Sequence, residues 1–268
     1  MNKIRASIAA LLTGLCLSSG NATANTFGTD MTDLWWNPSE SGWGVTATHQ
    51  GEIVFLTFFV FGADNTAHWY AGQASYTGTN GQGAAIFSGP MYQMTGPWFG
   101  TFFNPNGTSV RQVGNVNMTA FVDTATLTYS IDGVSVFKNI TRQTFRLNSL
   151  TAQYAGAMQT TASGCASAAN NGALERTMAI NVANSNTTVS NSSFSMATND
   201  GATICSYTGD YVQSGRMGAS RGTYVCPGIS GTYNLFEIEA NPSGLTARYS
   251  ASDNLCSQYS GRFGGVKR

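Results

Sequence analysis

From residue 44 to residue 145 the chain runs as short segments rich in β-branched and aromatic residues, each ending at a turn signal. GVTATHQ, EIVFLTFFVFG, TAHWYAGQASY, GAAIFSGPMYQM, SVRQVGNVNMTAF, TATLTYSIDG and VSVFKNITRQTF predict successive strands. Gln50-Gly51, Gly62 to Asn65, Asn106-Gly107 and Asp132-Gly133 supply the turns between them. Connections this tight predict an antiparallel meander. Seven or eight such strands close most simply into an up-and-down barrel, calycin- or avidin-like, which leaves no exposed edge.

One segment departs from simple alternation. EIVFLTFFVFG carries Phe55, Thr57, Phe59 and Phe61 on one face and Leu56, Phe58 and Val60 on the other. A strand apolar on both faces is expected to be covered on both. The candidate covers are the tryptophan-rich segment before it, the second half of the chain, or another copy of the protein.

The second half repeats the strand pattern in TMAINVA, TTVSNSSFSMAT, TICSYTGDYVQ, GTYVCPG, GTYNLFEIEA and GLTARYSA. Its one helical candidate is the stretch from Gly172 to Thr177. An internal echo links CSYTGDYVQSGRMGASR with CSQYSGRFGGVKR and suggests equivalent hairpins facing each other in a small barrel. All five tryptophans and most phenylalanines precede residue 146, whereas most tyrosines follow it. The chain therefore reads as all-β with two antiparallel domains. The first, 25–146, is an aromatic-rich barrel, and the second, 147–268, is a small barrel or sandwich, with the boundary near Leu147 to Leu150.

The first residues change the compartment. Lys3 and Arg5 precede an apolar run from Ile8 to Leu17 and a small-residue site at Ala22-Thr23-Ala24, the form of a secretory signal peptide cleaved after Ala24. That run is too short for a membrane span, and bulky Leu15 before Cys16 argues against a lipoprotein site. Removing 1–24 leaves Cys165, Cys205, Cys226 and Cys256, an even set whose spacing fits neither a zinc ribbon nor a redox pair. Two disulfides are expected, in any of three pairings. The reading is a secreted or periplasmic protein.

Charge is sparse and balanced, with 13 basic and 13 acidic residues before processing. The absence of a concentrated basic face argues against nucleic acid and anionic membrane as partners.

Candidate chemistry centres on WWNPSESGWG, residues 35 to 44. Read structurally, one tryptophan plugs the barrel, another lies under a loop, Glu40 caps a turn, and Gly42 and Gly44 let the backbone pass beside Trp43. Read functionally, Trp35, Trp36, Trp43, Trp69 and Trp98 form an aromatic mouth with Asn37, Glu40 and His49, in which flat rings stack on a ligand and amides and a carboxylate orient it. His49 and His68 are the only histidines, and no ligand spacing joins them to Glu40, Glu52 or Asp64 as a metal site. Neither Ser39 nor Ser41 sits in a nucleophile elbow. Glu40 with Asp64 is a pair selected from 13 acidic residues rather than signalled by spacing. Glu237 and Glu239, two apart on one strand, read as a solvated face. Arg216 and Arg262 read as local partners of Asp210 or Asp253.

The run DLWWNPSESGWGVTATHQGEIVFLTFFVFGADNTAHWY, with SGPMYQMTGPWFG and IDGVSVFKNITRQTF after it, resembles a group of secreted proteobacterial proteins. Their mark is a WWNP-x-ESGWG segment, then HQG, a hydrophobic strand, a WY pair, a TGP turn and a closing ITRQ-F strand. The resemblance covers about residues 33 to 146. It implies export and a compact β-domain, implies no reaction, and treats residues 35 to 44 as one unit.

These observations lead to the expectation of a secreted, non-catalytic protein without cofactor or metal, which binds a polysaccharide, a cell-surface polymer or a small ligand. A self-associating matrix or envelope subunit is the alternative, and a secreted hydrolase the third reading.

Overall fold

The computed structural model describes residues 28–185, 188 and 192–268. The signal-peptide reading falls on residues 1–24, outside the described residues.

The first barrel comprises β1 (Asp33–Trp36), β2 (Gly44–Gln50), β3 (Ile53–Phe61), β4 (Ala67–Thr79), β5 (Ala85–Thr95), β6 (Ser109–Ala120), β7 (Thr124–Ile131) and β8 (Val134–Arg142). Each strand pairs antiparallel with the next, and β1 closes on β8, where Trp35 faces Arg142. The eighth strand, absent from the strand-like segments above, is the DLWW at the head of the tryptophan motif. Its interior is occupied by Leu56, Phe58, Phe87, Met91, Met118 and Leu127, all fully buried. Eight strands enclose a lumen that side chains of this size fill.

The second barrel comprises β9 (Ala152–Cys165), β10 (Gly172–Asn184), β11 (Ser192–Asn199), β12 (Ile204–Ser214), β13 (Met217–Cys226), β14 (Ile229–Asn241), β15 (Gly244–Asp253) and β16 (Cys256–Lys267). It is again a closed antiparallel meander, sealed by β16 on β9. The fold is therefore all-β in two up-and-down barrels. Gly172 to Thr177, the helical candidate, forms the start of β10, paired residue by residue with β9. Strand pairing overrides a weak local preference there.

Both disulfides are present: Cys165–Cys256 joins β9 to β16, and Cys205–Cys226 joins β12 to β13. All four cysteines lie at the same end of the barrel. In the cyclic strand order the two bridged seams are four strands apart, so the rim is pinned at opposite points.

The echo does not mark equivalent hairpins. Its first copy spans the β12–β13 hairpin, whereas its second is the single strand β16. Beside Cys-Ser and Ser-Gly-Arg-x-Gly, both copies carry Tyr-x-Gly, at Tyr207-Thr208-Gly209 and Tyr259-Ser260-Gly261.

The two-faced strand β3 sends Val54, Leu56 and Phe58 inward, while Phe55, Phe59 and Phe61 on the outer face stay 40 to 59% exposed. The tryptophan-rich segment touches that outer row only at Phe59 and Phe61, through Gly44 and Gly42, and leaves it largely open.

The segment Gly28 to Thr32 lies between the barrels. Arg216, in the β12–β13 turn, donates from Nε to the Thr32 carbonyl at 2.9 Å and sits 2.5 Å from an Asp30 carboxylate oxygen. It also pairs with Glu239. Gly215 approaches so closely that a Cβ there would meet Asp33 Oδ2 at 2.3 Å, and its φ of 59° is one that side chains disfavour. Arg262 turns to Glu237 and to the Gly28 carbonyl. The expected pairing of these arginines with Asp210 and Asp253 is thus replaced by contacts to the inter-barrel segment and the β14 carboxylates.

Glu237 and Glu239 are separated by a β-bulge, since register shifts between Phe236 and Glu239. Glu237 adopts φ 52°, is buried, and accepts from Thr29 and Arg248. The solvated face expected for this pair gives way to two separate ion pairs. An extra residue in the strand breaks the alternation on which that expectation rested.

Candidate functional site

The tryptophan motif resolves into local roles. Trp35 is fully buried, donates from Nε1 to the Met31 carbonyl at 3.0 Å, and packs under Arg142. Asn37, not Glu40, caps the turn, its side chain accepting from the Ser39 amide at 2.9 Å. Glu40 accepts from Trp43 Nε1 at 3.1 Å and from Lys138 Nζ at 2.6 Å. Lys138 lies 5.4 Å from the Trp43 ring centre, so carboxylate, ammonium and indole form one clamp. The Lys138 hydrogen bond is the main reason the Glu40 carboxyl sits below its ordinary range. Gly44 makes room for Phe59, whose ring lies 2.6 Å from where its Cβ would be. Trp36 is half-buried.

The remaining proposed contacts are not gathered at this point. Trp69 is exposed on the outer face of β4, opposite Phe59 of β3. Trp98 is exposed in the β5–β6 loop and packs against Phe99 at 5.8 Å. The His49 side chain is nearly buried, accepts from the Met31 amide at 3.2 Å and meets Phe87 edge-on. His68 closes a local turn with Thr66 and Asp64. Trp35 therefore has no water-reachable surface with which to meet a ligand, and the other rings point to different parts of the first barrel.

The second barrel holds a partly open cavity. At the disulfide end, above a floor of Tyr233, Leu235 and Phe263, lies a cavity of about 200 Å³ that opens between Leu174, Thr203 and Ile229. An apolar cavity of about 150 Å³ already takes up benzene. Its wall is made by inward residues at alternate positions of the strands, among them Met158, Met178 and Met196, then Tyr207, Tyr224, Tyr249 and Tyr259. The Cys205–Cys226 bridge also lines it.

Space for these rings comes from glycines on the same inward faces. The Tyr224 ring lies 2.8 Å from where a Cβ on Gly231 would stand, and the Tyr249 ring 3.0 Å from one on Gly261. Tyr207 stacks on Tyr224 with centroids 5.4 Å apart and meets Tyr233 edge-on at 5.5 Å.

The polar edge of the cavity is Asp253. Its Oδ2 accepts from Tyr224 at 2.6 Å, and its Oδ1 from Tyr259 at 3.1 Å and from the Leu255 and Cys256 amides. Burial disfavours its charge, but these hydrogen bonds, Tyr224's foremost, hold the carboxyl below its ordinary range. The partners respond in the opposite sense. Burial raises Tyr224, and donation to Asp253 raises it further. Burial and the Asp253 charge push Tyr259 up to about 12. Across the mouth Arg176 donates to Asp200 at 2.7 Å.

Most tyrosines lie in this half of the sequence, but their number alone does not mark a site. The available signal was Gly-x-Tyr or Tyr-x-Gly in the inward phase of four strands, at Tyr207, Tyr224, Tyr233 and Tyr259.

No family model, curated protein or solved structure matches the chain.

Proposed function

We propose that the protein is an exported, non-catalytic binding protein whose second barrel holds a small ligand with an apolar body. The observation that carries this reading is the open, tyrosine- and methionine-lined cavity at the disulfide end. Eight-stranded barrels have the width to hold one small ligand where side chains leave the lumen unfilled. Methionines adapt to irregular apolar shapes, and tyrosines add flat area with a polar tip. Two disulfides support export, because they persist in oxidising compartments. The first barrel, filled by its own core, serves as a rigid companion.

Thermal unfolding of the mature chain against a panel of small aromatic and amphiphilic compounds tests this. A binder present at about 100 times its Kd adds about 2.7 kcal/mol of stability. Ala251→Phe, which fills the cavity, is expected to abolish that gain. A stabilising compound that acts equally on Ala251→Phe would move the site elsewhere.

A second reading rests on the outer wall of the first barrel, where Phe55, Phe59, Phe61 and Trp69 are exposed side by side. Such a row supports docking to a second copy of the chain. Sedimentation of the mature protein at micromolar concentration separates the readings: a dimer that Phe59→Ser disrupts favours this one, and a monomer removes it.

A further inference from the structure

We infer that the ligand of the second-barrel cavity is an organic ammonium cation, its charged head at Asp253 and its apolar body among the tyrosines and methionines. The inference rests on the cavity being a ligand site and goes beyond it by assigning the ligand's charge.

Two independent features of the wall lead there. The first is the distribution of charge. Arg176 and Asp200, both at the mouth, neutralise each other. Asp253 has only neutral donors: two tyrosine hydroxyls and two backbone amides. Among the described residues no lysine, arginine or histidine forms an ion pair with it. The cavity thus carries one carboxylate without a counter-cation, in surroundings that screen charge less than water does.

The second feature is the direction of the hydrogen bonds. Tyr224 and Tyr259 commit their protons to Asp253, so toward the cavity their oxygens can only accept. Asp253 Oδ2 accepts the Tyr224 hydroxyl alone among the described contacts, which leaves it a free lone pair. At the Asp253 corner the site therefore offers acceptors. A carboxylate or phosphate ligand would meet like charge there, whereas an ammonium group meets a carboxylate and phenol oxygens. The surrounding ring faces add to this preference, since the quadrupole of an aromatic ring attracts a cation. Tyr207 and Tyr233 stand nearly perpendicular, at 77°, and form two sides of a box.

The test uses three phenyl probes on the full mature chain: phenyltrimethylammonium, tert-butylbenzene as its isosteric neutral counterpart, and benzoate as an anion. Binding is read by calorimetry and by tyrosine fluorescence. The expected result is that the cation binds at least tenfold more tightly than the neutral probe and that benzoate binds weakest. In Asp253→Asn the preference for cation over neutral probe falls about tenfold. Asp253 also orders the β15–β16 turn, so Tyr207→Leu, which keeps an apolar wall and removes the aromatic face, serves as a second variant and lowers the same preference. If the neutral probe binds as well as the cation, the charge assignment is overturned while the cavity reading stands. If none of the three binds, both fall.

Discussion

The guanidinium of Arg142 lies 4.6 Å from the centre of the Trp35 indole, and neither side chain reaches solvent. The two residues come from opposite ends of the first barrel's sequence, WWNP and ITRQ, and meet where β1 closes on β8. Arg142 donates to the carbonyls of Asp30, Thr32 and Val122 and to the Asp33 carboxylate. The head of the tryptophan motif is here part of the seam of a barrel.

Removing that cation leaves Asp33 buried without its partner. Arg142→Leu is expected to destabilise the protein by about 3 to 5 kcal/mol, read from the urea midpoint. Arg142→Lys recovers little, because an ammonium lacks the planar fork that serves several acceptors while stacking on indole. A loss below about 1 kcal/mol would show that the seam holds without this pair.

The contact between the barrels depends on pH through Asp30. Burial disfavours its charge, but hydrogen bonds from Thr32 and the nearby Arg216 cation outweigh that and hold its carboxyl below the ordinary 3.8. A depressed folded-state value means that the contribution is fully present above about 3.8 and is lost as pH falls through the lower folded value. Calorimetry should therefore show the barrels unfolding as a coupled unit at neutral pH and separately under acid. Arg216→Ala reproduces the acid behaviour at neutral pH. Coupling that survives both would place the latch elsewhere.

The two disulfides differ in the chain they close, 91 residues for Cys165–Cys256 and 21 for Cys205–Cys226. Chain entropy assigns about 4.6 kcal/mol to the longer loop and about 3.3 kcal/mol to the shorter. Paired Cys→Ser variants measured by denaturant unfolding are expected to keep that order. The reverse order would mean that the β12–β13 bridge stabilises through its packing against the cavity.

Tyr211 and Tyr259 are both pushed up to about 12, in each case first by burial. A raised phenol value stabilises the fold below the ordinary 10.0 and is lost as pH rises through 12. In an alkaline titration followed by phenolate absorbance, Tyr211 and Tyr259 should ionise only together with unfolding. Complete ionisation near pH 10 with the fold intact would contradict the buried placement.

Much of this architecture was legible from alternation alone. The strands from GVTATHQ to VSVFKNITRQTF lie where periodicity and turn residues put them, because side chains filling a barrel impose a strict period of two. DLWW was too short to register as a strand, and its role depends on Arg142, more than a hundred residues away. Gly172 to Thr177 carried no strong period, and only pairing with β9 settles it. The Glu237 bulge was invisible because it breaks the rule by which faces are read. Site residues were hardest to find. Indole size drew attention to the first barrel, but large rings are the best core fillers. A tyrosine becomes cavity wall only when neighbouring strands leave room beside it, which depends on register rather than on any local run.

Diffraction from crystals of the mature protein under xenon pressure asks most directly whether the second barrel holds open space. The account predicts a xenon site bounded by Met196, Tyr207 and Phe263 beneath the disulfide rim. A lumen closed by tyrosine side chains, with no xenon between β9 and β16, would contradict it.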